Sequence, residues 1–279
     1  MQVGFTEHLE LQQLMPDEAI GGSVARTLDI VVQRHSNNGV ADGSVEETVP
    51  KQYHNGLHTF SVVKDALRAA GALHLDHRDT SLVTLDAVFH DVVYDLCAPA
   101  NVNEAQSADE LDIELAKYGS DFTAVDRQIA KIAILGTETW VEKSEYGYRL
   151  VQRAAQQTYH SKREQTIANI IASADLGRLH SLTGPYFSHR LYQEQAGIDD
   201  NTPLDPGKLV GFQIMQLDLL AGGYTYPHRD LQKFFMTHTK EVVRYNELLL
   251  EDLATGQLTT WEQILQRDIA FATSQQIRT

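Results

Sequence analysis

Cysteine is almost missing from this chain. Cys97 is the only one in 279 residues, so no intrachain disulfide can form. A chain without such links depends on burial for its stability, and it fits a reducing cytoplasm. No apolar run reaches the roughly 18–20 residues that a membrane span needs, so no membrane partner is expected. The opening MQVGFTEHLELQQ lacks a basic start followed by an apolar stretch, which argues against a secretory signal. Positive charge is short as well: 23 Lys and Arg face 38 Asp and Glu, for a net charge of −15. The average field of such a chain repels a nucleic acid duplex. A small anionic substrate stays open, because a bound cation inverts the potential around itself.

Strand-like alternation is scarce too, and helical periodicity dominates. Apolar residues make up 42% of the chain, enough for a substantial core. The pattern predicts helices over Pro16 to His35 and Tyr53 to Leu73, then one capped by Thr80 or Ser81 that carries TLDAVFHDVVYD. Others are expected over NEAQSADELDIELAKYG, Thr123 to Leu135, Lys162 to Leu176, Pro185 to Ala196, Gly207 to Leu220, Pro227 to Leu253 and Thr260 to Gln275. Residues 36–50 and GIDDNTPLDPG read as loops, and LAGGYTYP as a turn. No segment is long enough for a convincing domain linker. The expectation is an all-α fold, one helical domain over residues 1–279, with a core about 50–195 and added C-terminal helices about 207–275.

Three polar interruptions of apolar helices stand out. In Tyr53-His54-Asn55-Gly56-Leu57-His58, the two histidines are four apart and would share a helix face. Both can then be metal ligands, or one can bind metal while the other moves a proton. His90-Asp91 breaks the apolar run DAVFHDVVYD, where an unpartnered pair would be costly to bury. Imidazole and carboxylate are both good metal ligands, although backbone and water can also satisfy a pair at a helix end. Asp175 ends IANIIASAD, and a negative charge at a helix C-terminus opposes the dipole unless a cation is near.

The order His, then His-Asp, then a distant Asp resembles the HD superfamily of metal-dependent phosphohydrolases. The resemblance covers roughly residues 50–195. The branch of predicted bacterial HD phosphohydrolases shows a YHN-like start, an FHDxxYD segment, an NExxSA segment and an Ala-Asp-Leu. Here these are YHNGLH, FHDVVYD, Asn103 to Ala108, and Ala174-Asp175-Leu176. YHNGLH is also similar to the YHNxxH signature of the cyclic-nucleotide phosphodiesterase catalytic domain.

The resemblance implies a helical fold in which His58, His90, Asp91 and Asp175 hold a divalent metal. A site of two His and two carboxylates accepts Zn, Mn, Fe, Co or Ni. Asp91 can bridge to a second, water-rich metal such as Mg or Mn. His54 matches the histidine that protonates the leaving group, and Glu104 a glutamate near the metal-bound water. Tyr53 and Asn55 would position His54. The implied activity is hydrolysis of a small anionic phosphoester, nucleotide-like in class, with mono- and diesters both open. Three departures bear on this. Trp140 stands where both branches often place a histidine. Tyr94 stands where the phosphodiesterases carry a histidine just outside the metal ligands. Leu209 falls where they hold a purine-reading glutamine, which argues against a cyclic nucleotide bound in their manner.

Other candidates read more plainly. His160, His180, His189, His228 and His238 are scattered, and each reads as a surface or hydrogen-bonded residue. Cys97 is expected to be a small buried hydrophobe. Arg190 can meet a phosphate, but a lone Arg on a helix is usually solvated. The Pro227 to Leu253 segment reads as a packing or dimer contact. Two other function classes compete: a di-iron HD oxygenase, which needs further ligands that have no convincing spacing here, and a non-catalytic HD binding or regulatory domain. Buried charges kept without a use would be expensive, which weighs against the latter.

Overall fold

The computed structural model describes residues 18–36, 51–224 and 226–276. The expected helix start at Pro16 and nearly all of the 36–50 loop lie outside the described residues. The fold class is all-α: among the described residues there are eleven α-helices and one two-stranded sheet. No helix among them is long and apolar enough to cross a membrane. The chain divides into two compact units. One comprises the described residues of Met1–Thr139, Gln152–Leu176 and Tyr226–Leu231; the other, those of Trp140–Val151, Gly177–Thr225 and Gln232–Thr279.

The first unit holds six helices: α1 (Glu18–Ser36), α2 (Gly56–Ala72), α3 (His77–Phe89), α4 (Val102–Ala116), α5 (Ala124–Leu135) and α6 (Lys162–Asp175). Helices α2, α3 and α6 each pack against the other two. Helix α3 sits deepest: every residue from Ser81 to Phe89 is buried. The expected cap at Thr80 or Ser81 is corrected here. Asp76 caps the helix by accepting from the Asp79 N–H, and the Thr80 and Ser81 hydroxyls instead donate back to the carbonyls of Asp76 and His77. Thr123 and Asp126 form a reciprocal capping box at the start of α5. Asp126 is further paired with Arg78 and Arg163.

The second unit contains a hairpin that alternation did not reveal. Its strands are β1 (Thr139–Ser144) and β2 (Gly147–Gln152), with the chain ends of both strands in the first unit. β1 is exposed at nearly every position, so no inward apolar face marks it in sequence. The Tyr148 N–H donates to Asp218, and a side chain at Gly147 (φ +116°) would meet that carboxylate. The remaining helices are α7 (Gly184–Gln195), α8 (Pro206–Asp218), α9 (Arg229–Phe235, which starts in the first unit), α10 (Thr239–Ala254) and α11 (Trp261–Gln276). The single helix expected over Pro227 to Leu253 is therefore two. His238 leaves helical geometry (φ −118°, ψ 19°), and the Thr239 hydroxyl donates to the Met236 carbonyl at the break. Leu209, Tyr245, Leu249, Leu253, Trp261 and Ile264 form a core of this unit.

Candidate metal centre

Four side chains from three helices meet in the first unit. Asn55 caps α2, accepting from the Leu57 and His58 N–H groups, and so fixes the first turn that carries His58. Helix α3 ends at Phe89, so His90 and Asp91 stand at its C-terminus and just beyond rather than inside the predicted helix. Asp175 is the last residue of α6. The next carbonyl, that of Leu176, accepts from the Tyr226 hydroxyl at 3.0 Å, which anchors this helix end.

The donor atoms converge. His58 Nε2 lies 3.2 Å from His90 Nε2, 3.2 Å from Asp91 Oδ2 and 3.3 Å from Asp175 Oδ1. His90 Nε2 lies 2.9 Å from Asp91 Oδ2 and 3.6 Å from Asp175 Oδ1. One donor atom from each of the four lies within 4.8 Å of the others, and the group can hold a metal ion. Both imidazoles are essentially inaccessible, and the two aspartates are partly exposed.

The donor set fits a metal ion. A ligand distance of ~2.1 Å puts tetrahedral or octahedral edges at roughly 3.0–3.4 Å, close to the 2.9–3.6 Å separations here. The His90 Nδ1–H donates to the Ala87 carbonyl at 2.8 Å, and this tautomer leaves a lone pair on Nε2. That lone pair faces another imidazole nitrogen and two carboxylates, an arrangement short of protons. His58 Nδ1 is buried and has no hydrogen-bond partner among the described residues.

Without an ion, protons must do the same work. Burial opposes charging His58, yet Asp175 and Asp91 outweigh it and raise the imidazole pKa. Burial likewise opposes charging His90, and Asp91 and Asp175 raise it well above its ordinary value. Burial pushes Asp91 up, but His90 and His58 hold it well below the usual carboxylate range, and Asp175 is lowered by the same two histidines. A cation satisfies all four groups at once.

The other expected residues fall around this cluster. Tyr53 is buried, with its ring centroid 4.5 Å from that of His58. His54 is not on a helix: it precedes the cap Asn55, whose backbone is extended, so the shared-face argument is corrected. Its ring lies 5.8 Å from that of His58 all the same, edge-on to Tyr53 and stacked on Tyr94. Glu104, in the first turn of α4, has its pKa raised by burial and by the carboxylates of Asp91, Glu138 and Asp175.

Sequence reasoning missed Glu138 in this setting. Its carboxylate pairs with Arg153 at 3.1 Å, and Arg153 also donates to Asn101 at the start of α4. The expected histidine position was weighed at Trp140, two residues further on, whose indole N–H donates to Glu142 on the exposed strand. Leu209 belongs to the core of the second unit. Cys97 is exposed, against the expectation of a buried one, because it follows the end of α3 in a surface turn and its N–H is held by Asp95. Arg190 is engaged with Asp200, Gln193 and Tyr186.

In comparison with known proteins, no family model matches the chain, and no curated protein matches it. The helical fold and the His/Asp cluster are compatible with an HD-type site.

Proposed function

We propose that this chain is an HD-type metal-dependent phosphohydrolase acting on a small phosphate ester. The observation that carries the reading is the meeting of two imidazole Nε2 atoms and two carboxylate oxygens within 4.8 Å, with a further histidine and glutamate around them. His58, His90, Asp91 and Asp175 would hold a divalent ion. When bound, such an ion supplies charge neutralisation for phosphoryl oxygens and a more acidic water.

The chain's own residues supply the proton steps. His54 donates a proton to the departing ester oxygen, and it can do so because it stands beside the ligands without being one of them. Glu104, half-buried and with a raised pKa, accepts a proton from the attacking water at its carboxylate. Tyr53 closes the apolar side of His58 against solvent. The acidity of the chain favours a small substrate over a nucleic acid.

The test is elemental analysis of the wild type and an Asp91→Ala variant, with hydrolysis of bis(p-nitrophenyl) phosphate and p-nitrophenyl phosphate measured on both. Metal that is present in the wild type, lost in the variant and tracked by turnover supports the reading. A wild type that takes up no Mn, Zn or Mg overturns it.

A further inference from the structure

His54 stands in the turn ahead of α2, so no helical register holds its side chain. Two aromatic rings do. Tyr53 meets it edge-on, with centroids 4.8 Å apart and planes at 80°. Tyr94 lies flat against it, with centroids 3.6 Å apart and planes at 20°. Ring contacts on two sides, one edge-on and one flat, favour one orientation of the imidazole.

Tyr94 is itself held from both sides along the backbone. Before it, the Val93 N–H donates to Ser107 Oγ at 3.1 Å, and the Ser107 hydroxyl is 3.2 Å from the Val93 carbonyl. After it, the Asp95 N–H donates to Asn103 Oδ1 at 3.0 Å, and Asn103 Nδ2 donates back to the Asp95 carbonyl at 3.0 Å. At Tyr94 itself, Lys51 Nζ donates to the carbonyl, and the ammonium lies 5.0 Å from the ring centroid. Asn103 and Ser107 stand one turn apart on α4 and flank the turn that carries Glu104. The NExxSA and FHDxxYD segments thus meet at a clamp on the backbone that carries Tyr94.

From this geometry we infer that Tyr94, clamped by Asn103, Ser107 and Lys51, is the positioning residue for His54. It acts by stacking and takes no part in proton transfer. The inference rests on the reading of His54 as proton donor. A displaced donor costs rate without altering ion binding, because the four ligands lie elsewhere.

Metal-loaded wild type, Tyr94→Leu, Tyr94→Phe, His54→Ala and the His54→Ala/Tyr94→Leu double variant are to be assayed on the two p-nitrophenyl esters. Alongside, the His54 Cε1–H resonance is followed by NMR in metal-free and loaded protein. Tyr94→Leu should lower kcat by about 10–100-fold with KM within about 2-fold and metal content unchanged. Tyr94→Phe, which keeps the stacked ring, should recover most of the rate. In the His54→Ala background, Tyr94→Leu should change the rate by less than about 2-fold, since a positioning residue has nothing left to position. The part of the His54 ring-current shift that comes from Tyr94 should be lost in Tyr94→Leu and persist in Tyr94→Phe, with or without metal.

Equal kcat in wild type and Tyr94→Leu, or an equal loss from Tyr94→Leu with and without His54, overturns the positioning role while leaving the phosphohydrolase reading standing. A His54 resonance that does not move in Tyr94→Leu overturns it without any assay. Absence of ester hydrolysis by loaded wild type overturns the phosphohydrolase reading and the inference together.

Discussion

Each compact unit buries a histidine against an aspartate, and the two arrangements behave as opposites. In the second unit, His189 Nδ1–H donates to Asp268 Oδ2 at 2.7 Å, and Asp268 Oδ1 accepts from the Tyr245 hydroxyl at 2.6 Å. His189 Nε2, left with a lone pair, meets Gln213 Nε2, a donor. Every contact has one donor and one acceptor, and Gln213 Oε1 is the atom of the set left without a partner among the described residues. In the first unit, two imidazole nitrogens and two carboxylate oxygens face a common point, and His90 has already given its Nδ1–H to Ala87. Lone pairs outnumber protons there. Buried His–Asp adjacency is thus no mark of a metal site by itself; an excess of convergent acceptors is.

The largest expected effect tests that contrast directly. Asp91→Ala should weaken metal binding by at least about 100-fold and abolish hydrolysis, since even partners outside the ligand set cost up to that much. Asp268→Ala should leave metal stoichiometry untouched; equal metal loss in both variants would break the comparison. Next, His54→Ala should retain its metal and lose about 10²–10⁴-fold in rate. Wild-type turnover in that variant would remove His54 from the chemistry.

Stability gives the third test. Asp268→Ala orphans the His189 Nδ1–H and the Tyr245 hydroxyl, both buried, at about 1–3 kcal/mol each. Denaturant unfolding should show a total loss of about 2–6 kcal/mol. A loss below about 0.5 kcal/mol would mean that Asp268 does not hold His189 and Tyr245 as described.

The smallest effect is on pH dependence, and its sign differs between the histidines and the aspartates of the first unit's cluster. His58 and His90 carry raised pKa values in the metal-free protein, so their contribution is complete below the unfolded value of about 6.5 and is lost as pH rises through the folded values. Asp91 and Asp175 carry lowered values, so theirs is complete above about 3.9 and is lost as pH falls through the folded ones. Metal-free protein should therefore melt at a lower temperature at pH 8.5 than at 5.5. Ion binding should run the other way, tightening with pH and releasing protons, because neutral imidazoles are the ligands. Calorimetry in buffers of different ionisation enthalpy reads that release, and a value of zero at pH 7 would contradict the raised histidines.

Much of this was legible in the chain because it is local. Helical periodicity marks α2, α5, α6 and α7 to within a few residues, and the His, His-Asp and Asp order points to the four side chains that the fold brings together in a group able to hold a metal ion. What failed to show was set by competition between neighbours. Asp76 outcompetes Thr80 and Ser81 for the cap of α3, and His238 breaks a helix whose apolar stripe runs on through it. The hairpin over Thr139–Gln152 has no alternating pattern because β1 buries no face.

The amino-acid order alone determined the all-α class, the acidic surface charge and the kinds of atom available to a cation. Tertiary packing decided the rest. Three mutually packed helices bring His58, His90, Asp91 and Asp175 to one point, although His58 and Asp175 are 117 residues apart. It also decided that His54 stands in a turn against Tyr94 rather than on a helix face, and that His189 spends its ring nitrogens on Asp268 and Gln213. Periodicity reports which face of a helix is apolar, but the count of donors and acceptors at a buried point exists only once the helices meet.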